Sequence, residues 1–132
     1  MGKNLLIIMD SMAGGGAEKA LVTMLHYLDT DAFRITLLLF NATGPYMDQI
    51  PSHVRTLAVY HGNKPLRDRL AFHTPLRDRL MTLRLQQLLG NAHYDVALSF
   101  LEGAATWLHS LLPRDIAPRH LSWVHTDLKH NH

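Results

Sequence analysis

The stretch that decides the fold is Leu5-Leu6-Ile7-Ile8-Met9, followed after a short link by Gly14-Gly15-Gly16-Ala17-Glu18-Lys19. Asn4 to Met9 reads as one strand, continuously apolar after Asn4, the pattern of a strand buried on both faces. From Ala17 onward, Ala17, Ala20, Leu21, Met24, Leu25 and Leu28 recur at the spacing of one helix face. A strand that turns through glycines into a helix exposes backbone N–H groups and the positive end of the helix dipole. Such a turn holds a phosphate, a sugar hydroxyl or a carboxylate without any charged side chain.

Working outward, the same alternation repeats. Phe33 to Phe40 predicts a second buried strand, and Asn41-Ala42-Thr43-Gly44-Pro45 a loop. Tyr46 to Ile50 fits a single helical turn before Pro51, and Val54 to Tyr60 a third strand. A helix is expected from about Pro75 to Leu89, closed by Gly90, then a fourth strand over Tyr94 to Phe100. Gly103 to Leu112 reads as a helix stopped by Pro113, and His120 to Val124 as a fifth strand. Strands and helices in this order predict an α/β fold, Rossmann-like, with an open and mostly parallel sheet of about five strands flanked by helices.

The hexapeptide Pro-Leu-Arg-Asp-Arg-Leu occurs at Pro65–Leu70 and again at Pro75–Leu80. Ten residues turn a helix through about 1000°, so the copies would not share a face. The expectation is two consecutive helical pieces, with Thr74-Pro75 opening the second.

With 132 residues, 47% hydrophobic, the chain has material for one domain with a real core. The net charge is +2, too small for a general polyanion binder. There is no cysteine, which excludes disulfides, thiolate metal sites and cysteine nucleophiles and suits a reducing compartment. No apolar run approaches the ~20 residues of a membrane span, and the N-terminal run is too short for a signal peptide. A cytoplasmic protein is expected.

The glycine turn fits neither common nucleotide motif. A Walker loop would continue Gly-Lys-Ser/Thr, whereas Gly16 is followed by Ala17-Glu18. A dinucleotide fingerprint wants glycine where Lys19 stands, and an acid where the second strand ends in Phe40-Asn41. Two readings stay open: a purely structural tight turn, with Glu18 favouring the helix dipole, or a ligand contact. In open parallel sheets ligands bind beyond the carboxyl ends of the strands, where strand order reverses. For an assumed order 3-2-1-4-5 that crevice lies between the loops Asp10–Gly16 and Leu101–Gly103, with His125-Thr126-Asp127 beside them. The glycine turn, Glu102 and His125 would then face one cleft. Read singly, His125 is one of ten histidines and fits a surface residue, and Glu102 fits a helix cap or dipole partner.

The C-terminal string from His125 to His132 contains imidazoles at His130 and His132, but its spacing matches no standard zinc pattern, and no metal is expected. Arg67, Arg69, Arg77, Arg79 and Arg84 form the densest basic region. The plain reading is a solvated helix face balanced by Asp68 and Asp78. The functional alternative is a membrane-facing patch that meets anionic lipid headgroups. Nucleic acid is not expected, because Phe72 alone interleaves with these arginines and the net charge of the whole chain is small.

Beyond spacing, Met12-Ala13-Gly14-Gly15-Gly16-Ala17-Glu18-Lys19-Ala20-Leu21 resembles the opening of the family four (group 1) GT-B glycosyltransferases, whose first strand ends in a Gly-Gly-Ala-Glu-Arg/Lys turn. Phe33–Leu39 resembles the second strand of their N-terminal domain, Tyr94–Gly103 the fourth and Ser122–Asp127 the fifth. The resemblance implies a single Rossmann-like, acceptor-side domain over 1–132. By the same resemblance, the C-terminal domain, which in that family holds the nucleotide and carries a Glu-x7-Glu motif, is expected to be absent from this chain. It implies that Gly15 and Gly16 lie near the donor and that His125 orients the transferred sugar. Glu102 and Glu18 would fall on the acceptor side.

The activity implied is sugar transfer from a nucleotide-sugar with retention, in cell-envelope or capsular polysaccharide synthesis. The acceptor would be a glycan or a lipid-linked acceptor, the contact with the inner membrane face peripheral, and the nucleotide-sugar a co-substrate with no other cofactor. This chain alone is expected to be inactive. Two rivals remain: a stand-alone α/β module that binds a sugar or phosphate ligand without catalysis, and an interaction protein whose glycine turn is structural.

Overall fold

Leu6 and Ile8 point to one side of the first strand, Ile7 and Met9 to the other, and all four are buried. That two-sided burial makes β1 (Lys3–Met9) the centre of the sheet, as its unbroken apolar run requires. The computed structural model describes residues 2–12, 15–62, 64–100 and 104–123. β1 pairs in parallel with β2 (Phe33–Asn41) on one side and β4 (Val96–Phe100) on the other. β3 (Arg55–Tyr60) extends the sheet beyond β2, and β5 (Arg119–Trp123) beyond β4. The order is β3-β2-β1-β4-β5, every pair parallel, so the strand sequence reverses between β1 and β4. The assumed order holds.

The two faces of the sheet are covered by different helices. α1 (Gly16–Tyr27) lays Ala17, Leu21, Val22 and Leu25 against Ile7, Met9, Leu37 and Leu39. On the opposite face, α3 (Arg77–Leu89) and α4 (Ala104–Leu111) bury Met81, Leu85, Ala105 and Leu108 over Leu6, Ile8, Leu38 and Ala97. Each such leucine or isoleucine contributes about 1.5–3 kcal/mol on burial.

The element boundaries differ slightly from expectation, for local reasons. The second hexapeptide begins as a turn: Thr74 Oγ1 donates to the Ala71 carbonyl and accepts from the Leu76 N–H, so α3 starts at Arg77. The first hexapeptide forms α2 (Leu66–Ala71), and Pro45–Gln49 forms a 3-10 turn. β4 starts at Val96, later than expected, because the Tyr94 N–H goes to the Ile116 carbonyl and the Asp95 N–H to the Asn4 carbonyl. Gly90 ends α3 with φ 57°, a left-handed conformation that a side chain resists.

Candidate functional site at the carboxyl end of the sheet

The loops leaving β1, β2 and β3 are tied to one another by backbone and amide hydrogen bonds. The Asn41 N–H donates to the Asp10 carbonyl at 2.9 Å, the Met12 N–H to the Thr43 carbonyl at 2.9 Å, and the Tyr46 N–H to the Met12 carbonyl at 3.1 Å. The Asn41 side chain then brackets Gly62 from both sides, accepting from its N–H at 2.8 Å and donating to its carbonyl at 2.9 Å. Gly62 has φ 108°, so glycine is required there by the backbone itself.

These bonds hold Asp10 and Met12, where the chain leaves β1. Gly15 precedes α1 in an extended conformation, φ −178° and ψ 169°, which any residue adopts. A Cβ placed on it would meet only the end of the Glu18 side chain, with Oε1 at 3.1 Å. The reading of a tight turn that demands glycine for its φ therefore does not hold at Gly15. Gly16 is the first residue of α1, and Glu18 lies in its first turn beside the positive helix end. Gly15, Gly16 and Glu18 thus sit together beyond the end of β1, at the reversal of strand order. Gly14, Glu102, His125, Asp127, His130 and His132 lie outside the described residues.

The arginines separate into two groups. Arg84 Nη2 donates to Asp68 Oδ2 at 2.7 Å, and the Arg77 guanidinium stands over the Trp107 ring at 5.2 Å. Arg67, Arg69 and Arg79 are exposed. A single face of five solvated arginines is therefore corrected: Arg84 reaches inward because Asp68, expected as a surface counter-charge, is fully buried. Asp78, in the same place of the second hexapeptide, stays exposed and accepts from Trp107 Nε1 at 2.8 Å.

Sequence reasoning missed what surrounds Asp68. Phe40 at the end of β2, Tyr60 at the end of β3, Phe72 after α2 and Trp107 in α4 form one aromatic cluster. In it the Phe40–Tyr60 and Phe72–Trp107 rings meet edge to face at 5.5 and 5.7 Å. Lys64 Nζ lies 4.5 Å from the Phe72 centroid. Such contacts add about 0.5–1.5 kcal/mol per aromatic pair and join four elements at the carboxyl end. The signal in the sequence was an aromatic at the end of both β2 and β3.

A second group was also missed. His109 Nε2 lies 2.9 Å from His120 Nδ1, while His120 Nε2–H donates to the Arg114 carbonyl at 2.8 Å. That second bond leaves His120 Nδ1 as acceptor and His109 as donor. Burial first, then the neighbouring His120, which competes for the same proton, and the Arg114 charge push the His109 imidazole below its usual range. His120 stands near the start of β5, so this pair is remote from the glycine turn.

Among the described residues no group of three or more histidines or carboxylates is placed to hold a metal ion. Among them, too, no helix is long and apolar enough to cross a membrane.

The fold defines an open, doubly wound α/β domain with its glycine turn at the strand-order reversal. No protein-family model matches the chain, and no curated protein matches it. Among solved structures it is similar to UGT2 of Phytolacca americana, complexed with UDP-2fluoro-glucose and pterostilbene, at 19% identity and a TM-score of 0.47. The match covers 97% of this chain and 32% of that one, so this chain spans about a third of that protein's length.

Proposed function

We propose that this chain is the N-terminal, acceptor-side half of a retaining glycosyltransferase. It would move a sugar from a nucleotide-sugar to a glycan or lipid-linked acceptor in cell-envelope or capsular polysaccharide synthesis, on the cytoplasmic side of a membrane. The observation that supports it is Gly15. Nothing in its backbone conformation calls for glycine, and a side chain there would occupy the space above the first turn of α1. That is where a donor phosphate or sugar would come close to backbone N–H groups.

In this reading Gly15 and Gly16 contact the donor through the backbone. His125 orients the transferred sugar, and Glu18 and Glu102 lie toward the acceptor, roles that rest on the resemblance of the motifs. Charge on the departing nucleoside diphosphate is met by preorganised N–H groups and by basic residues of the other half, without a metal ion.

The test is the native reading frame past the codon for His132. A second βα domain with two glutamates eight residues apart supports the proposal. On that longer chain, Gly16→Leu should abolish sugar transfer while leaving the thermal midpoint close to the parent's. A frame that stops there, in a chain that still binds a nucleotide-sugar or a free sugar phosphate, makes the protein a stand-alone binding module instead.

A further inference from the structure

At its amino end the sheet carries a groove on the face that α3 and α4 cover further along. α3 ends at Leu89, and the chain passes through Gly90 to His93 and Tyr94 before β4 begins. Side chains alternate along a strand, so Arg34 shares the face of Thr36 and Leu38 on β2. The parallel register sets Asn4 of β1 beside Arg34, and Arg55 of β3 beside Thr36. Arg34 and Arg55 are therefore diagonal neighbours on one face, about 8 Å apart at Cα from strand spacing and rise. Together with Thr36, His53, His93 and Tyr94 they line a groove of about 480 Å³.

The donors of this groove have nothing to bond. Both arginines are exposed, and neither has an ion pair or a side-chain hydrogen bond among the described residues. Two unpaired guanidinium groups this close favour a shared anion. Thr36 is 8% exposed, and its hydroxyl has no hydrogen-bond partner among those residues. Of their side-chain oxygens only Asp68 Oδ1 is both sealed and unpartnered, so the Thr36 hydroxyl opens into the groove it lines.

We infer that this groove binds the phosphate or diphosphate group of a small soluble molecule. Arg34 and Arg55 take the phosphate oxygens, and the Thr36 hydroxyl donates from the floor. The guanidinium fork matches phosphate geometry, and its hydrogen bonds are charge-assisted. Ala92 and Tyr94 give an apolar flank for the carbon part of the ligand. The volume suits a molecule of metabolite size. A nucleic acid strand would call for a longer basic track than two arginines on a chain of net charge +2. The groove lies at the opposite end of the sheet from Gly15 and Gly16, and its ligand does not depend on the transferase reading.

The experiment is a titration of the isotope-labelled chain with sodium pyrophosphate at neutral pH, followed at the backbone amides. Sodium chloride of equal ionic strength is the reference. Saturable shifts are expected at Arg34, Thr36, Arg55 and Tyr94, with none from chloride. Arg34→Gln and Arg55→Gln should each weaken binding about tenfold or more, and Thr36→Val about threefold. Arg119→Gln removes the same charge at the other edge of the sheet and should change nothing. The arginines are exposed and the Thr36 hydroxyl bonds nothing in the free chain, so no thermal midpoint should fall.

Shifts confined to Gly15 and Gly16 would report on the glycine turn and overturn the proposal. So would binding that survives both arginine changes, which would be diffuse charge attraction. Shifts at the groove with single-stranded RNA and none with pyrophosphate would make it part of a polymer surface and also overturn it.

Discussion

The phenolic hydroxyl of Tyr60, the last residue of β3, donates to Asp68 Oδ2 at 2.8 Å and shares that oxygen with Arg84 at 2.7 Å. Asp68 is the one fully buried carboxylate among the described residues, and its other oxygen, Oδ1, has no hydrogen-bond partner there. Burial first, then the hydrogen bond and charge of Asp68, pushes the Tyr60 phenol far above its usual range, so it remains a donor.

Removing either partner leaves that carboxylate short of compensation. Tyr60→Phe should cost about 1–3 kcal/mol, and Arg84→Met about 3–5 kcal/mol. Asp68→Asn combined with Arg84→Met should recover part of the second loss, because the charge goes with its partner. Urea denaturation of these three variants and of Asp68→Asn alone checks this; additive losses in the double variant would contradict the coupling.

The histidine pair predicts a dependence on pH. The folded state holds His109 below its ordinary value of 6.5, so the unfolded chain takes up a proton first as pH falls. The stability from neutral His109 is therefore complete above that value and is lost as pH drops toward the folded one. Thermal midpoints measured between about pH 7 and pH 5 should fall for the parent and fall less for His109→Gln. Equal slopes would remove the pair from the acid response.

Gly90 closes α3 at φ 57°, and a Cβ added there would meet nothing within 4 Å, so space is no obstacle and conformation is. Gly90→Ala should cost about 1–2 kcal/mol, read by chemical denaturation. A neutral outcome would mean that the turn relaxes.

Asn41→Ala removes both bonds to Gly62. Amide exchange should quicken at Gly62, whose N–H loses its acceptor, with a stability loss of about 1–2 kcal/mol. Unchanged protection at Gly62 would show that the loop is held by other means.

The fold was legible where hydrophobic period and chain order sufficed. The runs Asn4–Met9 and Phe33–Phe40 announce buried strands, and a helix between parallel strands leaves few topologies. The glycine turn was legible as a place, and its conformation was not: only the structure shows Gly15 extended. Asp68 was misread because two identical hexapeptides carry no local difference. What separates Asp68 from Asp78 is Tyr60 and Arg84, which come from β3 and α3 and meet only after folding. His109 and His120 escaped for the same reason, since their approach depends on how α4 returns to β5.

The hydrogen bonds joining Asp10 to Asn41 and Met12 to Thr43 and Tyr46 also bear on engineering of this scaffold. Judged by length and polarity, residues 41–46 invite the grafting of a tag or reporter. Yet the segment is bonded to Asp10 and Met12, and an insertion there would disturb the end of β1, far away in sequence. The polar segment just after Gly90 serves none of those bonds and is the better attachment point.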